Sequence, residues 1–164
     1  MRASVSIQTQ DFDVSTELAA LRADDLGVGA VCCFVGTVRE LGGDAPVSGM
    51  ALEHYPGMTE AAIHSMMQEA NKRFDIRGAR VIHRVGDLQA ADQIVLVAVT
   101  SAHRGQSFQA CEFLMDYLKT QAPFWKKETT ASGAHWVDAR ASDDAALKRW
   151  GIDANNVSGE RSGV

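Results

Sequence analysis

Apolar and polar residues trade places almost from the first residue of the chain, and Val5–Gln8 reads as a short first strand. The period then lengthens. Leu18 and Leu21 fall on one side of Val14–Ala23, which predicts a helix capped by Asp13 or Ser15. Gly29–Arg39 (GAVCCFVGTVR) is a glycine-bounded run of β-branched and aromatic residues and predicts a largely buried strand. Leu41–Val47 holds a Gly-Gly pair and a proline, the composition of a mobile loop. Ser48–Tyr55 sets Met50 and Leu52 against Glu53, as a strand does, until Pro56-Gly57 breaks it. Thr59 then serves as the cap of a helix running to about Phe74. Its apolar positions Ala62, Ile63, Met66, Met67 and Ala70 recur at helical spacing, so the two methionines read as core filler.

Two further strands, Arg80–Val85 and Gln93–Ser101, are joined by Gly86–Asp92. Gln106–Gln121 is a third amphipathic helix, stopped by Pro123. Phe124–Thr130 and His135–Val137 form a hairpin about Ser132-Gly133, and Ala145–Trp150 is a short last helix. No segment repeats, and helices and strands intersperse without a strict βαβ rhythm. The expected class is therefore α+β with a mainly antiparallel sheet. Residues 1–150 read as one domain, and 151–164, polar and nearly free of large apolar groups, as a flexible tail.

At 164 residues, 46% apolar and 23% charged, the chain suits one globular domain with a real core. It has neither a bilayer-length apolar run nor a basic-then-apolar leader, so the expected location is the cytoplasm and no membrane contact is expected. A net charge of −5 argues against nucleic acid as a partner. Against that acidic background, 119–127 carries three lysines and no acid, which suggests a site for a small anion. Cys32 and Cys33 are adjacent, and Cys111 falls on an apolar helical stripe. With no CxxC or Cys/His ligand spacing, all three read as unpaired core thiols, and neither a metal nor a cofactor is expected.

Phosphate loops of the GxxxxGK type, a GxGxxG turn and a GxSxG elbow are all missing. What remains is a set of basic residues at the ends of elements. Arg39 closes its strand, and His103 and Arg104 sit where a helix start offers free N–H groups to an anion. On that helix Phe108, Glu112, Met115 and Lys119 form one stripe, which puts Lys119 beside the buried face, its stem among Phe108 and Met115. Past the proline, Phe124, Lys126 and Glu128 share one face of a strand, and Trp125 and Lys127 the other. A helix-end lysine and a strand lysine can thus converge on one pocket. Each signal also has a plain alternative. Lys119 suits the negative end of a helix, Lys126 or Lys127 an edge strand, and Arg39 an ion pair with Glu40.

Four strings jointly narrow the choice: LEHYPGMTE (Leu52–Glu60), VTSAHRG (Val99–Gly105), FLMDYLKTQAPFWKKE (Phe113–Glu128) and the GTVR ending at Arg39. They resemble, in the same order, the large catalytic subunit of molybdopterin synthase, the MoaE family, over nearly all of 5–150. The resemblance implies an α/β-hammerhead-type fold with a small additional antiparallel subdomain. It implies a sulfurtransferase that inserts two sulfurs into cyclic pyranopterin monophosphate. The sulfur would arrive as a thiocarboxylate on the C-terminal Gly-Gly of a small ubiquitin-like partner, in a heterotetramer built on a homodimer of the large subunit. Carried over by motif, Lys119 and Lys126 are the catalytic candidates. Thr37, Val38, Arg39, His103, Arg104, Lys127, Glu128 and Arg140 join them in binding substrate, with His103 and Arg104 serving the other protomer's pocket. The competing reading is a non-catalytic module that docks a ubiquitin-like protein; it would not need Arg39, His103, Arg104 and Lys126 together.

Overall fold

The computed structural model describes residues 1–39, 49–137 and 141–152. In chain order the elements are β1 (Arg2–Gln8), α1 (Val14–Arg22), β2 (Ala30–Thr37), β3 (Gly49–His54), α2 (Met58–Arg73) and β4 (Gly78–Arg84). They continue as β5 (Gly86–Gln89), β6 (Gln93–Ser101), α3 (Arg104–Gln121), β7 (Phe124–Thr130), β8 (Gly133–Val137) and α4 (Ala141–Lys148). The strands form two four-stranded sheets, ordered β1-β4-β6-β2 and β5-β3-β7-β8. Among the described residues only β1 and β4 pair in parallel. The expected α+β class is borne out, with the second sheet as the additional antiparallel unit.

The larger core lies where α2 and α3 cover one face of the first sheet, and Val95, Val97 and Val99 of β6 meet Ile63, Met67, Phe113 and Leu114 there. The intervening Leu96 and Ala98 point to the opposite face, where Phe12 and Leu21 cover them. A central strand covered on both faces needs a continuous apolar run, which is why β6 reads IVLVAV. A third cluster of Val38, Met50, Leu52, Val85 and Leu88 joins the two sheets.

Local chemistry explains several boundaries. Of the two expected caps for α1, Asp13 is used: its Oδ1 accepts the Thr16 N–H at 2.7 Å. For α2 the expectation is corrected. Gly57 is the cap, at φ +83°, and its N–H donates to Glu60 Oε2 at 2.7 Å. Thr59 lies inside the first turn, fully buried. The 86–92 connection holds a strand of its own, β5, because Leu88 is buried against β3. β1 starts earlier than the alternation suggested, at Arg2, since parallel pairing with β4 extends over its whole length. α4 likewise begins at Ala141.

The strand expected to be largely buried is the main correction. β2 lies at the edge of the first sheet and is half exposed, with Val31 at 38% and Phe34 at 41% of their full accessibility. Cys33 is exposed with it and Cys32 is half-buried; only Cys111 is a buried thiol. Burial, with Cys32 beside it, holds the Cys111 thiol far above the ordinary range. The 41–47 loop lies outside the described residues, as does the tail except Gly151 and Ile152. No helix among the described residues is long and apolar enough to cross a membrane.

Candidate active site

The site grows from the elbow where α3 hands over to β7. Lys119 stands exposed in the last turn of α3. Pro123 ends the helix, Ala122 takes an extended conformation, and the Phe124 N–H turns back to the Ala122 carbonyl at 2.9 Å. β7 then runs antiparallel to β3, with Phe124 opposite His54, Lys126 opposite Leu52 and Glu128 opposite Met50. Because side chains alternate, Phe124, Lys126 and Glu128 share the face of Leu52 and Met50, which looks into the cluster between the sheets. Lys127 and Trp125 take the other face, as the sequence alternation required. Lys126 forms an ion pair with Glu128 at 2.6 Å.

Against this wall lies a residue to which the sequence reading gave no role. The His83 ring, at the end of β4, stacks on Phe124 with centroids 4.0 Å apart and planes at 23°. Its Nδ1 lies 2.9 Å from the Arg84 carbonyl, so Nδ1 carries the proton and donates, leaving Nε2 with the free lone pair. Burial lowers its pKa to about 4. The hydrogen bond to Arg84 opposes that shift, and the charge of Lys119 and the neighbouring His54 reinforce it. The Lys119 charge is thus felt at the His83 ring, and Lys126 lies two residues beyond Phe124 on the same face of β7, about 7 Å by strand rise.

Arg39 lies just past the end of β2 in the first sheet. Thr37 ends β2, and Val38 is buried in the cluster between the sheets. Val38 is pinned on both sides: its N–H donates to the Asp92 carbonyl at 2.8 Å, and its carbonyl accepts the Ala91 N–H at 2.7 Å. Ala91 holds φ +73° to make that contact. Arg39 follows at the surface. Lys119 and Lys126 flank the elbow, and ammonium groups so placed attract an anion and supply point-charge donors to it.

His103 and Arg104 are not brought to this site. They begin α3, exposed, with no acid in the first turn and no side-chain cap. Lys119 lies at the other end of the same helix, about 22 Å away at 1.5 Å per residue. Serine hydroxyls brace that start, Ser101 to the His103 carbonyl at 2.7 Å and Ser107 to the Arg104 carbonyl at 2.9 Å. The expected stripe is also corrected. Phe108, Glu112 and Lys119 are exposed and only Met115 is half-buried, because α3 turns Phe113, Leu114 and Leu118 to the sheet instead. Arg140 and Glu40 lie outside the described residues. Among the described residues no group of three or more His, Cys, Asp or Glu could hold a metal ion.

Comparison with known proteins decides what this arrangement belongs to. The family model for the MoaE protein matches residues 7–121. A molybdopterin synthase catalytic subunit from Ralstonia nicotianae is 57% identical over 155 residues, covering 94% of this chain and 88% of that one. The chain belongs to the MoaE family. Among solved structures, the MoaE protein of Burkholderia ambifaria MC40-6 superposes with a TM-score of 0.81 at 56% identity, over 92% of this chain and 99% of that one. Molybdopterin synthase from Staphylococcus aureus gives 0.76 at 28% identity, over 81% and 96%. As a MoaE protein, with relatives named as catalytic subunits, the chain is an enzyme of molybdenum cofactor biosynthesis. The MoaE match contains Arg39, His103, Arg104 and Lys119, and it ends at Gln121, two residues before the elbow proline.

Proposed function

We propose that this chain is the catalytic subunit of a cytoplasmic molybdopterin synthase. It converts cyclic pyranopterin monophosphate to molybdopterin by inserting two sulfurs, each delivered as the C-terminal thiocarboxylate of a small ubiquitin-like partner. What supports this reading is that Lys119 ends α3 and Lys126 follows on β7 across the Pro123 elbow, where the His83 ring that feels the Lys119 charge stacks on Phe124. A glycine terminus can enter such a place because it has no side chain, and its terminal anion then meets two ammonium groups. Lys119 and Lys126 act at the reacting centre, with Glu128 holding the Lys126 head group. Thr37, Val38 and Arg39 join them in binding substrate, as do Lys127 and Arg140.

His103 and Arg104 serve the phosphate of the pterin bound at a second copy of the chain. The length of α3 supports this, since it keeps them from their own Lys119. The exposed Val31 and Phe34 on β2, and Phe108 at 61% of full accessibility, offer the apolar surface that a homodimer buries. Two such copies, each with one small subunit, make the heterotetramer.

The test is turnover of the pterin precursor with purified thiocarboxylated partner. Lys119→Ala should lower the rate by about a hundredfold or more, as loss of a group at the reacting centre does. It should leave the fold within about 0.5 kcal/mol, because the side chain is exposed. Near-normal turnover in a folded Lys119→Ala protein refutes its role. Removing the partner's last two glycines should abolish turnover and weaken docking only modestly. Inactivity of the parent with both partner forms would instead mark a docking module.

A further inference from the structure

The string LEHYPGMTE has a place in the fold that the proposed function leaves unused. It runs from β3 through a turn into α2, and it meets the elbow between Lys119 and Lys126 at successive points. His54 pairs with Phe124 across the strands, and the Tyr55 ring stands edge-on to Trp125 with centroids 4.1 Å apart. Between them the Thr59 hydroxyl accepts the Tyr55 N–H at 3.1 Å and donates to the Pro123 carbonyl at 3.1 Å. Thr59 is fully buried and 64 residues from Pro123 in sequence. Pro123 is the residue on which the chain turns, four after Lys119 and three before Lys126.

We propose that Thr59 is a positioning residue for the two lysines, its hydroxyl fixing the elbow through the Pro123 carbonyl. The physical reason is directional. Packing holds a proline ring in a general place, whereas a buried hydrogen bond to its carbonyl sets the rotation of the peptide plane at the turn. Lys119 leaves the turn on the helix side and Lys126 on the strand side, so that rotation sets the relation between their stems. A valine in place of Thr59 keeps the shape and removes the bond, leaving two polar backbone groups to find new partners. Any movement they make is passed to both lysines. A hydroxyl that only satisfied the first turn of α2 would affect stability without affecting the chemical step.

The activity arm of the test rests on the proposed function. Parent, Thr59→Val and Thr59→Ser proteins are compared for kcat, for KM of the pterin precursor and for thermal stability. A second readout is the ring-current shift that Phe124 imposes on the His83 imidazole protons. In folded Thr59→Val we expect kcat to fall by about tenfold or more, since misplacement of about 1 Å is that costly, with KM within about threefold. The His83 shift should shrink with it, and Thr59→Ser, which keeps the hydroxyl, should restore both. A folded Thr59→Val protein with parental kcat overturns the proposal, as does a Thr59→Ser protein no better than Thr59→Val. If Thr59→Val does not fold, Thr59→Ala replaces it in the same comparison with Thr59→Ser. If the parent itself turns over no precursor, the proposed function fails, and the His83 shift alone decides the part about Thr59.

Discussion

At His83, burial strips the ring of the water that would solvate its charged form. The ring is buried, and its folded-state pKa is about 4, against 6.5 for an unhindered histidine. Between those values the unfolded chain binds a proton that the folded chain refuses. Stability therefore falls as pH drops through that window, by about 3 kcal/mol once pH is below 4. The ion-paired carboxylates act lower. Hydrogen bonds from Arg77 and Arg73 hold Asp25 and Glu69 below their ordinary range, so their contribution is lost only below about pH 4.5. Urea unfolding at pH 7, 6 and 5 should show a falling stability in the parent and a much flatter line in His83→Phe. Equal slopes in the two proteins would place the titrating group elsewhere. The same neutrality suits the site, since an uncharged ring adds no third positive charge beside Lys119 and Lys126.

Among the elements, α4 shows how the end of the described chain is fastened to the helix that carries Lys119. Trp150, just past α4, sets its ring edge-on to Phe74 and Phe113, with centroids 5.9 and 5.5 Å away. Its Nε1–H donates to Asp116 Oδ2 at 2.8 Å, and its carbonyl accepts from Arg73 at 2.7 Å. Arg149 adds a bond to the same Asp116 at 3.0 Å. These contacts bind the end of α4 to α3 and α2. Trp150→Ala should cost about 3 kcal/mol and raise amide exchange throughout α4. Because Trp150 contacts Phe74, Phe113 and Asp116 and not the His83–Phe124 pair, kcat of the folded protein should change little. A large fall in kcat with α4 still protected from exchange would contradict this separation.

For the whole molecule, the separation of Lys119 from His103 and Arg104 has a consequence that mixing can read. If each site takes its lysines from one copy and its α3 start from another, Lys119→Ala and Arg104→Ala proteins are each inactive. A heterodimer of the two has one site with both mutated residues and one site with neither. Random reassembly should then recover about a quarter of parental turnover, since half the dimers are mixed and each has one intact site of two. No recovery after exchange of subunits, verified by mass, would mean that a single copy supplies the whole site.

Much of this protein is decided locally. The continuous apolar run of β6, the helical spacing of Ile63, Met66, Met67 and Ala70, a polar cap before α1 and the stop at Pro123 all depend on near neighbours, so the sequence by itself determined those elements and the α+β class. The alternation that puts Phe124, Lys126 and Glu128 on one face has the same local origin, and the family strings added which residues to watch. Other features depend on what lies across a sheet or a turn. GAVCCFVGTVR has the composition of an inner strand, yet β2 is an edge strand because the sheet order gives it β6 on one side and, among the described residues, no strand on the other. Thr59 is a good cap by residue type, yet its partner is Pro123. His83 gives no signal in sequence because the ring it stacks on arrives from β7. His103 and Lys119 share one helix, and its rigidity holds them apart. Periodicity reports short-range conformational energies, whereas edges, long-range hydrogen bonds and shared sites are set by packing between distant segments, which only the tertiary structure decided.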